Sequence, residues 1–281
     1  MSDDPVARAA QRLAAAGIDS ARLDARLLWN FAAEIEASAL VARGTGRASA
    51  LFDSFVERRL AREPLAYILG HKEFWSLDFA VGPGVLIPRP DSETLIEAIC
   101  KNVLDKSAPL SVLDLGTGSG CLLIAVLMEY PNARGVGVDT SAEALDWARR
   151  NVAKYRLEDR TVLIQSGWLE DASPGFDVIV CNPPYIPSGD IAALATEVRH
   201  FEPRAALDGG PDGLDAYRIL ASRIARLLAP EGRAFVEIGA GQETGVRHIF
   251  EGGSLSVAGV HPDLAGIPRC IALVRVPGGA K

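Results

Sequence analysis

The sequence predicts an α/β protein: a doubly wound, mostly parallel sheet preceded by a small α-helical bundle and a β-hairpin. Three observations predict it. From Leu110 onward, apolar runs of strand length alternate with longer amphipathic stretches, the pattern of parallel strands joined by crossover helices. About the first 70 residues carry apolar positions at helical spacing. Between the two lies an alternating, aromatic-rich segment followed by Gly82-Pro83-Gly84.

In chain order, Val6 to Ala16 reads as an Ala/Arg/Leu-rich helix that ends at Gly17. Ser20 is placed to cap a second helix, whose Leu23, Leu27, Leu28 and Phe31 fit one face. Gly44 and Gly46 break the chain, and Ser49 is placed to cap a third helix carrying Leu51, Phe52, Phe55 and Leu60. Pro64 opens a short helix that Gly70 stops. Phe74 to Val81 and Val85 to Ile87 are the expected arms of the hairpin, turning at Gly82-Pro83-Gly84. Pro88-Arg89-Pro90 is a stiff exit, after which Asp91 or Ser92 caps a helix through Leu95, Ile96 and Ile99. Strands are expected at 110–115, 134–138, 161–164, 176–181, 233–238 and 270–276, with helices near 120–129, 141–155 and 213–229. The domains implied are residues 1–73 (helical), 74–90 (hairpin linker) and 91–281 (sheet).

Composition narrows the function classes. A chain of 281 residues suits two domains, and 48% hydrophobic residues supply a core and exclude a disordered chain. With 29 basic against 36 acidic side chains the net charge is −7. That lacks the broad positive footprint of generic nucleic-acid binding, although a local basic patch stays compatible with it. Cys100, Cys121, Cys181 and Cys270 are scattered and form no CxxC pair, so no metal is expected. The N-terminus shows no basic and then apolar leader, and no apolar run reaches the roughly 18 residues of a membrane span. A reduced, soluble, cytoplasmic protein is expected.

Val112 to Leu115 is a buried strand that runs into Gly116-Thr117-Gly118-Ser119-Gly120 and then an apolar helix. Glycines let the backbone approach a ligand, and a helix N-terminus adds a partial positive charge. The spacing is Gly-x-Gly-x-Gly, unlike the Gly-x-Gly-x-x-Gly of dinucleotide folds. The next strand ends in Asp139, where ligands gather in a doubly wound sheet. Its carboxylate suits both hydroxyls of a ribose; the alternative is a cap for the following helix, a task open equally to Thr140 and Ser141. Trp168 stands after the strand at 161–164, either covering a planar base or as ordinary core.

The strand Phe176 to Cys181 ends in Asn182-Pro183-Pro184-Tyr185. Two adjacent prolines cannot extend a central strand, so they set a rigid loop. A planar nitrogen is a poor nucleophile and must be aimed. An Asn182 oxygen and the Pro183 carbonyl can accept the two protons of an NH₂ group, and Tyr185 can pack on the planar group. A stiff turn without chemistry is the alternative. Amide and exocyclic adenine nitrogens are equally eligible on this evidence.

Asp114-Leu-Gly-Thr-Gly-Ser-Gly120, with an acidic residue ending the next strand, resembles the Rossmann-like class I S-adenosylmethionine-dependent methyltransferases. That resemblance implies a seven-stranded sheet, S-adenosyl-L-methionine as cofactor and S-adenosyl-L-homocysteine as product. Arg62 to Gly70, Phe74, Leu86 to Glu93, Phe201 to Gly210 and Asp212-Gly213-Leu214 strongly resemble the HemK/PrmC family. The likeness spans about residues 60 to 275. The family methylates the N5 amide nitrogen of the glutamine in the Gly-Gly-Gln motif of peptide chain release factors. It implies cofactor contacts from Gly116, Thr117, Gly118, Ser119, Gly120, Asp139, Trp168 and Asn182. It implies glutamine contacts from Asn182, Pro183, Pro184 and Tyr185. Arg89 would shape the substrate channel, or be a surface arginine in a linker. The helical domain would grip the release factor; no membrane or specific nucleic-acid partner is implied, and a monomer is expected.

Two positions depart from the family pattern. Ser92 stands for a threonine and keeps the hydroxyl, and Ile267-Pro268 stands for Arg-Asp before Arg269. The competing functions are an adenine N6-methyltransferase, disfavoured by the acidic charge, a non-enzymatic binding module, and a dinucleotide oxidoreductase, disfavoured by the glycine spacing.

Overall fold

The computed structural model describes residues 4–43, 48–168 and 174–276. Gly44 and Gly46 lie outside the described residues. The first helices are α1 Pro5–Ala15, α2 Ala21–Arg43, α3 Ala48–Leu60 and α4 Leu65–Leu69. The hairpin strands β1 His71–Phe74 and β2 Leu77–Ala80 and helix α5 Glu93–Asn102 follow. Then come β3 Ser111–Leu115, α6 Cys121–Glu129, β4 Arg134–Asp139, α7 Ala142–Lys154, β5 Thr161–Gln165 and β6 Phe176–Cys181. The last are α8 Thr196–Phe201, α9 Asp215–Leu227, β7 Leu228–Glu237, α10 Glu243–Glu251, β8 Leu255–Pro262 and β9 Pro268–Arg275.

One compact unit joins the chain up to His71 with the distant segment Ala195–Phe201. Asp4 caps α1 by accepting from Val6 N at 2.9 Å, and proline opens the helix where its missing N–H costs nothing. Leu13, Ala25, Leu28, Ala32, Phe52 and Val56 form the core, with Trp29 edge-on to Phe52 at 5.1 Å. Ala48 already starts α3, so Ser49 sits inside its first turn and not at the cap. α4 follows Pro64 and stops at Gly70, whose φ is 76°. Arg59 Nε donates to Asp24 Oδ2 at 2.8 Å, with side chains 8% and 3% exposed. Arg59 Nη1 and Arg62 Nη2 donate to the two oxygens of Glu197, at 3.0 and 3.1 Å, which ties α8 into this unit.

The hairpin turns earlier than its glycines suggest. Its two turn residues are Trp75 and Ser76, at φ 53° and 58°, the positive pair that matches strand twist in a two-residue turn. Ser76 N donates to Glu73 Oε1 at 2.6 Å and Trp75 N to Glu93 Oε1 at 2.9 Å. Side-chain anchoring thus replaces the usual Asn-Gly. Val85 to Ile87, expected as the second arm, are loop.

The other unit comprises Lys72–Leu194 and residues from Glu202 onward. Its sheet runs β5-β4-β3-β6-β7-β9-β8. The first five strands are parallel, and β9 runs antiparallel to both its neighbours, β7 and β8. Successive strand residues face opposite sides. Val112, Val178 and Val180 meet Leu95, Ile99 and the apolar α6 on one face. Leu113, Leu115 and Ile179 meet Tyr217, Leu220 and Ile224 of α9 and Phe250 of α10 on the other. β8, α8 and α10 have no counterpart among the expected elements. β8 is a half-exposed edge with a register shift near Gly259, and only Val246 and Phe250 of α10 are buried.

Removing one partner of a buried ion pair leaves an uncompensated charge. Arg59→Met is therefore expected to destabilise the helical unit by about 3–5 kcal/mol, measured by urea denaturation. A change within roughly 0.5 kcal/mol, the scale of ordinary surface substitutions, would remove the pair from that role.

Candidate active site

Strand order reverses beside β3, and the carboxyl ends of β3, β4 and β6 meet there. The glycine loop is stitched down at that point. Gly116 N and Thr117 N both donate to Val138 O at 2.8 Å. Gly118 N, at a φ of 55°, donates to Asp139 Oδ2 at 2.9 Å. Thr117 Oγ1 donates to Asp114 Oδ2 at 2.7 Å. Burial pushes the Asp114 carboxyl up to about 7, against the Thr117 hydroxyl and a backbone N–H that favour its ionised form.

Asp139 does not cap α7. Ser141 does so, its Oγ accepting from Ala144 N at 3.1 Å. Asp139 Oδ1 accepts from Ser141 N at 2.9 Å, so the carboxylate brackets two backbone amides. Each oxygen keeps a lone pair for a ligand. Both residues line a cleft together with Gly116, Thr117, Gly118 and Ser119. Trp168 forms another wall, with Cζ3 3.9 Å from where a Cβ on Gly116 would stand. Gly120 does not reach the cleft; it packs towards Ile124 and Ala148 and turns the chain into α6.

Asn182 and Pro184 also line the cleft. Asn182 Nδ2 donates to Ser92 Oγ at 3.0 Å. Pro183, between Asn182 and Pro184 in the chain, is buried. The Tyr185 hydroxyl donates to Glu237 Oε1 at 3.2 Å, and its carbonyl accepts from Gln242 Nε2 at 2.9 Å. Burial and the neighbouring Glu237 push the Tyr185 phenol above its ordinary range.

Two family profiles match the chain: "PrmC N-terminal domain" over residues 5–70 and "Methyltransferase small domain" over residues 90–201. The release factor glutamine methyltransferase of Rhodospirillum rubrum is 44% identical over 276 residues, covering 97% of this chain and 84% of that protein. The protein of the same name from Caulobacter vibrioides is 42% identical over 274 residues, covering 96% and 94%. This chain belongs to the release factor glutamine methyltransferase family. A solved methyltransferase from Pyrococcus furiosus shares the fold, with TM-score 0.54 and 18% identity over 77% of this chain and 95% of that one.

The segments that resemble this family find structural reasons here. Ile186 N donates to Leu207 O at 3.0 Å, and Gly209 N to Ile186 O at 2.8 Å, so residues 207–209 run beside the tetrapeptide. A Cβ on Gly209 would stand 2.8 Å from Tyr185 Cα and 2.9 Å from Pro184 O, which are backbone atoms that cannot rotate away. Arg89, expected to shape the channel, lines the cleft, and its Nη2 donates to Glu202 Oε1 at 2.6 Å. Glu202 Oε2 accepts from Ile87 N at 3.0 Å, so the arginine is tethered rather than free on the surface. The departure at Ile267-Pro268 leaves Arg269 paired with Asp91 at 2.9 Å and Asp263 at 3.0 Å.

Two residues escaped sequence reasoning. Ser92 was expected as a helix cap, but it makes no side-chain cap bond. Its hydroxyl serves Asn182 instead. Glu237 ends β7 and is fully buried, with Oε2 unpartnered. The signal for it was an acidic residue in the apolar run Ala234-Phe-Val-Glu-Ile238, since a buried carboxylate calls for a reason.

Gly209→Ala is expected to displace Pro184 and Tyr185 and cut methyl transfer by about 10²-fold, as expected for a misplacement of ångström size. Cofactor binding should stay within a few-fold, measured by calorimetry. Unchanged turnover would dissociate Gly209 from the tetrapeptide's geometry.

Proposed function

We propose that this chain transfers the methyl group of S-adenosyl-L-methionine to the side-chain amide nitrogen (N5) of the glutamine in the Gly-Gly-Gln motif of peptide chain release factors, and so modulates translation termination. One observation carries the reading. The Asn182 amide, its Nδ2 spent on Ser92, stands in the same cleft as the glycine loop and Asp139.

The residues present fit the cofactor. Asp139 offers lone pairs for ribose hydroxyls, Trp168 a face for adenine, and Gly116 to Ser119 a backbone without bulk. When bound, the cofactor supplies an electrophilic methyl on a positively charged sulfur. The chain's part is positioning and electrostatics. The Asn182 oxygen accepts one proton of the glutamine NH₂, and the Pro183 carbonyl the other. The proline pair keeps this loop rigid. Tyr185, braced by Glu237, fixes the loop's far end.

The domain plan proposed is a helical substrate-binding domain over 1–73, a hairpin linker over 74–90 and the transfer domain over 91–281. The helical domain would hold the release factor outside the cleft. Among the described residues no helix is long and apolar enough to cross a membrane, and no group of acidic, histidine and cysteine residues could hold a metal ion. We propose a cytoplasmic monomer without a nucleic-acid partner, in keeping with the net charge of −7.

Radiolabelled methyl should pass from S-adenosylmethionine to a release factor, and not to one whose motif glutamine is replaced. Equal labelling of both would overturn the substrate assignment. Asn182→Ala is expected to lower the transfer rate by about 10²–10³-fold, the loss typical of removing one preorganised polar contact. Cofactor affinity should survive in part. Wild-type turnover in that variant would take Asn182 out of the mechanism.

A further inference from the structure

We propose that Asn151 is a positioning residue for the cofactor: its side-chain amide latches the linker strand at Ala80 to the glycine loop at Ser119, and so holds two walls of the cleft in one register. The inference rests on the cofactor site and not on the identity of the methyl acceptor.

Asn151 lies in α7 and is fully buried. Its Nδ2 donates to Ser119 O at 2.9 Å and to Ala80 O at 3.0 Å, and its Oδ1 accepts from Ala80 N at 2.7 Å. A primary amide has two N–H donors and one carbonyl oxygen. Here one proton goes to each segment, and the oxygen closes a second bond with Ala80. Aspartate has the same shape but no proton to give when ionised. An apolar side chain would leave three buried backbone groups without partners, which is costly.

Both latched segments lead into the cleft. Ser119 lines it beside Gly116, Thr117 and Gly118. The peptide after Ser119 is held at both ends, its carbonyl by Asn151 and Gly120 N by Thr117 O at 2.8 Å. On the other side Ala80 ends β2, and Gly84, Val85 and Leu86 soon after it line the cleft. The stretch between follows one face of α7. Tyr155 Oη accepts from Asp78 N at 2.7 Å, Asn151 holds Ala80, and Trp147 Nε1 donates to Pro83 O at 3.1 Å. These three side chains are four residues apart, hence neighbours on the helix surface. A Cβ on Gly82 would overlap the Trp147 ring, and one on Gly84 would stand 2.5 Å from Glu143 Oε2, so the glycines let the strap lie close. At its end Val85 Cγ2 comes within 3.8 Å of where a Cβ on Gly118 would stand. Tyr155 and Trp147 fasten the strap to the helix, whereas Asn151 fastens it to the glycine loop as well.

Coupling of this kind is reciprocal: if the closed latch raises cofactor affinity, bound cofactor closes the latch by the same factor. The test measures both directions with S-adenosyl-L-homocysteine as ligand. Calorimetry compares wild type, N151A, N151D and Y155F. Y155F removes a bond between strap and α7 without touching the glycine loop, and so controls for a general loosening of the strap. N151A and N151D should raise the Kd by about 10–10²-fold, the size of a typical coupling between sites, and Y155F should leave it within about twofold. Amide hydrogen exchange on wild type supplies the converse. Ligand should slow exchange at Ala80 by a similar factor, and by more than at Asp78 on the same strap. If the Asn151 variants fold and bind as wild type does, or if Y155F loses as much affinity as they do, the latch is overturned. If those variants do not fold, wild-type exchange decides, and equal slowing at Ala80 and Asp78 overturns it. If wild type binds no S-adenosyl-L-homocysteine, the cofactor reading falls with it.

Discussion

The amides of Gly116 and Thr117 converge on one carbonyl, that of Val138. This fork joins the loop after β3 to the end of β4, and the rest of the site is measured from it. It holds Gly118 close enough to bond Asp139. β6 lies on the other side of β3 and pairs with it in parallel, so Cys181 stands beside Leu115 and Asn182 follows at the same end of the sheet. A parallel sheet buries its strands on both faces, so chemistry can appear only at strand ends, and the strand reversal decides which ends share a space.

Polar groups inside this framework are few and each has a mechanical task. Asp114 steadies Thr117, Asp139 brackets two backbone amides, Glu202 tethers Arg89 and the loop at Ile87, and Glu237 braces Tyr185. Asp114, Glu202 and Glu237 are buried, and buried carboxylates are costly to desolvate. Their concentration around one cleft is the pattern expected where stability is given up for preorganised geometry.

Much of this was legible in the chain. Strands β3, β4, β5 and β6 announce themselves as apolar runs, and the glycine loop and tetrapeptide fall at their ends as the pattern requires. The hairpin was misplaced because its turn uses Trp75 and Ser76 in conformations usually left to glycine and asparagine, held by Glu73 of its own first strand and by Glu93 from α5. β8 was missed because a half-exposed edge strand carries little alternation. Ser92 looked like a cap because local sequence shows only local uses of a hydroxyl, whereas its partner lies 90 residues away. The packing of Gly120 towards Ile124 and Ala148 and the tie of Tyr185 to Glu237 have the same origin. A motif gives the order of residues along the chain, and packing decides which of them meet solvent.

The segment Ala195–Phe201 belongs with the N-terminal helices although it is encoded between the tetrapeptide and Glu202. Its Glu197 carries the charges of Arg59 and Arg62. The helical unit is thus not a detachable cassette. A cut after His71 would leave these arginines without their carboxylate and strand α8 on the wrong fragment. Any graft that exchanges the helical unit between relatives has to move two pieces of chain together, and drift in one piece is answerable to the other.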